Sequence, residues 1–554
     1  MRPDRWSRGR PTGPTKDGLA GERGFQGFAF RNYLRNPTFV EVATALPAMI
    51  GAAFKPEWIW GDDTETTVFA QGYGSDHTVI FSFCLDSSKP PSTLPNRICT
   101  SFHGLDATTD TTTFPDADSM RRALWEAVHI VWPQCLEHPR INDVDAVVDI
   151  DASNPQGEIS WRVYHHRLFP RYLQCLGDEA GGLSFEELLS ECRRPPNRIA
   201  LVGKPASLPE TTHSTVDFGT LVRYEQLGGK GCATRVRIRD GPPGLHVFKG
   251  VDFRTYLAHC DDENDETVRH LVRCWNNSET LLRQMPPHPN ILPASSVFVT
   301  LSHGNGEAMP AICGSLQPLY AGGDVGDSIG KSNKAGQRLP LELKAHWCAN
   351  MAAAVAHTHR VARTFHMDIK PGNFLIDFNN NLALCDWEQV DAPPNTLAPE
   401  ADGTWDVSED KQDGTSSGNP RPRLVYEKYT GPARQNIDED LQLGESSWHS
   451  WNVFPSWNIQ HPLALELAEV FSLGRIMWML LRQPNMDFDE IEHPNDLITD
   501  WEAFEDIPES WKQMVDRCLS LDPNMRPDVI EVAQFWGASR QLIMGGPENQ
   551  RANV

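Results

Sequence analysis

Asp368, Asn373 and Asp386 are the residues of this 554-residue chain whose types and spacing could do chemistry. The first two stand five apart in FHMDIKPGNFLID (Phe365 to Asp377), and the third lies eighteen beyond Asp368 in LALCDWE (Leu382 to Glu388). Two carboxylates and an amide oxygen are hard donors, suited to holding a divalent cation against phosphate. To act together they must meet in space. Phe374, Leu375 and Ile376, then Leu382, Ala383 and Leu384, read as two short apolar strands joined by a turn at Asn379 to Asn381. Such a hairpin would bring all three side chains to its open end.

The surrounding chain has the composition of a folded globular protein rather than a fibre or a disordered polymer. Hydrophobic residues make up 40% and charged residues 22%, an ordinary globular balance. A formal charge of -24 repels phosphate backbones and anionic lipid, so nucleic acid is not expected as a partner. The twelve cysteines contain no Cys-x-x-Cys pair, which disfavours a zinc module or a disulfide framework. Charges and Pro47 interrupt every apolar run before the roughly eighteen residues of a membrane span. The Arg-rich start lacks the apolar segment of a signal peptide and reads as a tail over 1–25, or else as a mitochondrial presequence. An intracellular protein, cytoplasmic or nuclear, is expected.

Residues 26–215 mix strand and helix signals and are expected to form an α/β extension of unknown role. His77 to Leu85 reads as a strand, and Val144 to Asp151 with Glu158 to His166 as a hairpin across Asn154-Pro155-Gln156-Gly157. Ser119 to Cys135 has one apolar helical face, and Ser184 with Glu187 forms a capping box. Asp149, Asp151, His165 and His166 could ligate a metal, but on a hairpin such residues are more often solvated. Glu400 to Glu445 reads as a long acidic loop or insertion, and 541–554 as a flexible tail.

From about Phe218 to Trp536, some three-fifths of the chain, the sequence resembles the eukaryotic-type protein kinase superfamily. His366-Met367-Asp368-Ile369-Lys370-Pro371-Gly372-Asn373 resembles the catalytic loop, and Asp386-Trp387-Glu388 the Asp-Phe-Gly metal motif. The resemblance implies a two-lobed α+β fold, with a β-rich N-lobe over about 218–318 and a helical C-lobe over about 322–536. It implies ATP with magnesium or manganese as cofactors and a protein substrate. Gly229, Gly231 and Val236 would form the nucleotide loop, Lys249 the phosphate-binding Lys, and Glu279 its partner on the next helix, before His288-Pro289-Asn290-Ile291. Gln317, Leu319 and Tyr320 would line adenine, with Asp324 reaching a ribose hydroxyl. Asp368 would accept the substrate proton, Lys370 would meet the transferring phosphoryl group, and Asn373 and Asp386 would hold metal. Lys370 favours the Ser/Thr branch.

The chain departs from that pattern in four places. Met367 replaces the Arg that clasps a phosphorylated activation loop, so switching by that route is not expected. Trp387 and Glu388 replace Phe and Gly, removing a flexible hinge beside Asp386. Ala398-Pro399-Glu400 lies only twelve residues past Asp386 and reads as a decoy, leaving Gly431 to Arg434 or Phe454 to Trp457 as the segment end that meets Arg526. Glu469 stands where Asp is usual and is expected to support the catalytic loop less well. These departures keep two alternatives open, a nucleotide-binding pseudokinase acting as a scaffold and a small-molecule phosphotransferase. Ten acidic residues and no Lys or Arg between Asp487 and Glu509 suggest a preference for basic substrates.

Overall fold

A computed structural model describes residues 54–61, 65–72, 78–84, 127–141, 143–151, 159–179, 214–227, 232–241, 243–260, 265–301, 310–389, 392–410, 422–431, 453–501 and 506–544. The tail over 1–25, the Ser184 capping box, Gly229 and Gly231 lie outside them. The architecture is α+β, with two sheets in the N-terminal half and a largely helical C-terminal half.

The first sheet runs in chain order, β1 (Phe54–Gly61), β2 (Glu65–Gly72), β3 (Thr78–Cys84), β4 (Ala146–Asp151) and β5 (Ser160–His165). All its neighbours are antiparallel except β3 and β4, whose parallel pairing requires the intervening crossover. A helix over residues 127–135 buries Val128, Val131 and Trp132 against Phe81 and Val148. The predicted strands are therefore present and pair as expected, and two of the four candidate ligands are in local pairs: Arg162 donates to Asp149 at 2.7 Å, and His165 meets Asp145 at 3.1 Å.

Helix α1 (Phe169–Glu179) carries Phe169, Tyr172, Cys175 and Leu176 on one face. That face packs on the second sheet, whose strands are β6 (Ser214–Asp217), β7 (Leu221–Gln226), β8 (Ala233–Ile238), β9 (His246–Gly250), β10 (Val297–Leu301) and β11 (Ala311–Pro318), in the order β6-β10-β11-β9-β8-β7. Two helices connect β9 to β10, α2 (Phe253–His259) and α3 (Glu266–Gln284). One buried cluster joins Ile80, Val147, Phe169 and Tyr172 to Phe218, Val236, Phe248, Phe253 and Tyr256. Tyr172 also donates to the Val251 carbonyl at 2.6 Å, and Arg171 to Asp265 at 2.7 Å. The extension thus shares a core with the second sheet.

His166 sits at this junction, buried, with its ring edge-on to Phe253 at 5.2 Å. Burial, with Arg167 adding repulsion, pulls its pKa down to about 4. The unfolded chain, with an ordinary imidazole, binds the extra proton first as pH falls. Stability from this group is therefore complete above pH 6.5 and is lost between 6.5 and 4. The loss approaches about 3 kcal/mol at the lower limit. His288, its ring tilted against that of His357 with centroids 4.6 Å apart and its pKa pulled to about 4 by burial and by that neighbour, adds in the same direction. Thermal unfolding from pH 7 to 4.5 should show a falling midpoint, and His166→Asn should flatten the fall without reversing it.

The C-terminal half holds α4 (Val325–Lys334), α5 (Leu341–His357), the hairpin β12 (Phe374–Ile376) and β13 (Leu382–Leu384), a second hairpin β14 (Trp405–Asp410) and β15 (Arg423–Lys428), then α6 (Phe454–Gln460), α7 (Pro462–Arg482), α8 (Glu509–Cys518) and α9 (Val529–Met544). Every residue of α7 from Ala464 to Leu481 is buried, so it forms the axis on which α5, α8 and the hairpins pack. The stretch after Glu400 carries the paired strands β14 and β15, and α9 runs to Met544, past the residue 541 at which a tail is expected. Among the described residues no helix is long and apolar enough to cross a membrane.

Candidate active site

Phe374 pairs with Leu384 and Ile376 with Leu382, and Asp377 closes the turn by accepting from the backbone N–H groups of Asn379 and Asn381. At the open end Cys385 N donates to the Asn373 carbonyl at 2.9 Å, which sets Asn373 and Asp386 side by side. The hairpin is braced from both flanks. Asn290 donates to Leu382 O at 2.8 Å and accepts from Leu384 N at 2.9 Å. Gly322, where a Cβ would come within 2.7 Å of the Ile376 carbonyl, lets the turn after β11 lie against β12.

The loop bearing Asp368 hangs from α7. Glu469 Oε1 accepts from the backbone N–H groups of His366 at 2.7 Å and Met367 at 2.6 Å, while Oε2 meets His359 Nε2 at 2.5 Å. These bonds hold Met367 at a φ of 66°, a conformation costly for a non-glycine residue. The expectation of weaker support from Glu469 is thereby overturned, because its extra methylene lets one carboxylate serve both loop amides and a buried imidazole. His366 Nε2 meets the Cys385 carbonyl at 2.8 Å and Nδ1 accepts from Asp368 N at 3.3 Å, which fits a proton on Nε2. Met367 is packed among Phe365, Leu397 and Phe471.

Asp368 is buried. Its Oδ2 accepts from Lys370 Nζ at 2.5 Å and Asn373 Nδ2 at 3.1 Å, while among the described residues Oδ1 has no hydrogen-bond partner. Burial works against the charge on Lys370, but Asp368, Asp386 and Glu388 outweigh it and raise its pKa. Lys249, on β9, lies in an ion pair with Asp386 and 3.0 Å from Glu388 Oε1. Burial resists ionisation of Asp386, yet Lys249 foremost, then Lys370 and His366, hold its carboxyl well below the usual range. Trp387 is fully buried, edge-on to His366 at 4.6 Å, so Asp386 lies between a packed indole and a pinned loop.

Three pairings differ from those expected. Lys249 does not meet Glu279. That carboxylate accepts from Ser315 Oγ at 2.5 Å and from Arg283 and Ser295 N at 3.4 Å, because Ser315 stands opposite Lys249 across β9 and β11 and claims it first. Val236 does not face the cleft. It stands opposite His246, and Ala233 opposite Lys249, so period-two alternation puts Val236 and Phe248 on the face away from Lys249, in the core shared with α1. Ala398-Pro399-Glu400 is no decoy. Arg526 grips Glu400 with both terminal guanidinium nitrogens, the second at 2.9 Å, and Phe454 to Trp457 opens α6 instead. The insertion follows Glu400, so the segment from Asp386 to Glu400 is short.

Gln317 is the penultimate residue of β11, with Leu319 and Tyr320 half-buried beyond it. Asp324 caps α4 by accepting from Asp327 N at 2.8 Å, and burial raises its carboxyl above the ordinary range. Sequence reasoning passed over Glu388; the signal was there in the replacement of a glycine by a carboxylate beside Asp386.

No family model matches the chain. Over 172 residues it is 28% identical to CBL-interacting protein kinase 22 of Oryza sativa subsp. japonica, covering 30% of this chain and 36% of that protein. Over 213 residues it is 23% identical to the putative mitogen-activated protein kinase kinase kinase 7-like of Drosophila melanogaster, covering 36% of this chain and 42% of that protein. The chain thus spans about two-fifths of the length of the curated relatives it matches. This partial similarity, with the α+β architecture, relates it to the eukaryotic protein kinase superfamily without singling out a subtype.

Proposed function

We propose that this chain is an ATP- and magnesium-dependent kinase that transfers the γ-phosphoryl group of ATP to Ser or Thr hydroxyls of proteins. The observation that carries this reading is Oδ1 of buried Asp368, an acceptor without a hydrogen-bond partner among the described residues, on a carboxylate whose Oδ2 is held by Lys370 and Asn373. An acceptor left unpaired in a buried site costs free energy unless a ligand donates to it. A substrate hydroxyl would donate there and pass its proton to the carboxylate as the new P–O bond forms. Lys370 would neutralise charge on the moving phosphoryl group, and Lys249 would hold the α and β phosphates.

Asp386 and the amide oxygen of Asn373 suit magnesium, which takes one or two protein oxygens and completes its shell with phosphate and water. Among the described residues no cluster of three or more His, Cys, Asp or Glu forms a closed metal cage, which agrees with an ion that arrives with its nucleotide. The bound ion would supply charge neutralisation across the phosphates. A preference for basic substrates belongs to the same reading: Glu490, Glu492 and Asp496 are exposed, although Asp500 and Asp506 are taken up by Arg482 and Arg338.

A second reading, a nucleotide-binding scaffold, is favoured by one observation: Lys249 is held by Asp386 and Glu388 and not by Glu279. Thermal shift with ATP and magnesium, paired with labelled-phosphate transfer, separates the two. A ligand at a hundredfold its Kd stabilises by about 2.7 kcal/mol. Stabilisation with transfer to a Ser/Thr protein substrate is expected. Stabilisation alone would favour the scaffold, transfer only to an aminoglycoside, choline or sugar would favour a small-molecule phosphotransferase, and neither effect would end the kinase reading.

A further inference from the structure

We propose that Glu388 is the residue that positions Lys249 for nucleotide, in place of Glu279, so that the site is uncoupled from movement of α3. The proposal deepens the kinase reading and rests on it for its catalytic consequence.

Four observations carry it. Glu388 Oε1 lies 3.0 Å from Lys249 Nζ, and both side chains are largely withdrawn from water, with exposures of 13% and 16%. Glu388 is held in place by its neighbours. Trp387 is buried in the core before it, and Gln389 after it donates to the Phe365 carbonyl at 2.8 Å. Asp386 and Gln389 both adopt positive φ, at 67° and 57°, so the chain folds tightly enough for Asp386 and Glu388 to reach the same ammonium. The carboxylate of Glu279, by contrast, has both oxygens engaged by Ser315, Arg283 and Ser295.

The fourth observation concerns α3. Its outer face is tied to α1: Arg269 donates to Asp178 at 2.9 Å and to Glu179 at 3.3 Å, Arg273 donates to Glu179 at 3.3 Å, and Asn276 donates to the Glu179 carbonyl at 3.1 Å. A helix clamped this way serves as a strut, and Glu279 as an internal brace between α3 and β11. When a metal–nucleotide complex engages Asp386, Lys249 loses one of its two carboxylates and keeps the other. Glu388 then holds the ammonium toward the phosphates from the same short segment that carries the metal ligand.

The pair is tested first in the ligand-free protein. Thermal midpoints of Lys249→Met, Glu388→Gln, Glu279→Gln and the two double variants with Lys249→Met form two cycles. Non-additive shifts are expected for Lys249 with Glu388, and additive ones for Lys249 with Glu279. Turnover then provides the functional readout. Glu388→Gln should raise the KM for ATP about tenfold, as loss of one 1.4 kcal/mol interaction would, with a smaller fall in kcat. Glu388→Asp should recover part of it, and Glu279→Gln should leave KM unchanged. Coupling of Lys249 to Glu279, or a KM that rises in Glu279→Gln but not in Glu388→Gln, would overturn the proposal. If wild type shows no turnover, the kinase reading fails while the cycles still decide the pairing.

Discussion

Arg526→Ala is expected to lower unfolding stability by about 3–5 kcal/mol, the range found when one partner of a buried ion pair is removed. The Arg526 side chain is wholly buried, and that of Glu400 is 7% exposed. Besides its two bonds to Glu400, the guanidinium donates to Ser520 O at 2.9 Å and Leu467 O at 3.1 Å, and lies 4.8 Å from the centre of the Phe471 ring. Truncation would leave the Glu400 carboxylate charged without a partner and two carbonyls unsatisfied, at the point where the segment from Asp386 rejoins α7. Urea unfolding of Arg526→Ala, Glu400→Gln and the double variant Arg526→Met with Glu400→Leu checks this. The double variant should recover much of the loss, since it removes both charges together and restores apolar volume. A change below about 1 kcal/mol in Arg526→Ala, the scale of an exposed pair, would mean that Glu400 is not its partner.

The second large effect concerns chemistry. Asp368→Asn should reduce kcat by about 10²- to 10⁴-fold, the usual contribution of a positioned general base. The amide keeps an oxygen for Lys370 and a near-identical shape, so the loop should stay anchored through Glu469 and the thermal shift with ATP and magnesium should persist. Asp386→Ala should behave differently, removing the proposed metal ligand and a carboxylate paired with Lys249, and so abolish the nucleotide shift together with turnover. Phosphate transfer that survives Asp368→Asn would place the base elsewhere. A lost nucleotide shift in that variant would mean that Asp368 acts in binding.

Much of the candidate site was legible because its parts are local. The hairpin from Phe374 to Leu384 follows from two apolar triplets around an Asp-Phe-Asn-Asn-Asn turn, and once it forms, Asn373 and Asp386 are neighbours by connectivity. The burial of α7 from Ala464 to Leu481 was less legible, since Glu466, Glu469 and Arg475 break its apolar run and find their partners only in the folded core. What failed depended on distance or on parity. A slip of one residue in the strand after the glycines put Val236 on the wrong face, since β8 exchanges its two faces at every position. Glu400 was set aside because its separation from Asp386 looked too short, whereas the chain places its extra residues after Glu400.

By itself the sequence determined which groups could do chemistry here and which of them lie within one turn or hairpin of each other, because such neighbours are joined by short stretches of backbone with few conformations. Only the tertiary structure decided which carboxylate each buried cation takes. Lys249 is 30 residues from Glu279 and 139 from Glu388, yet it pairs with the more distant one. That choice follows from packing: Ser315 and Arg283 occupy Glu279, Trp387 fixes the segment that carries Glu388, and α1 holds α3 against the sheet. A buried charge pairs with whichever opposite charge the folded core leaves within reach, since the cost of burying it alone exceeds what local sequence preference can offset.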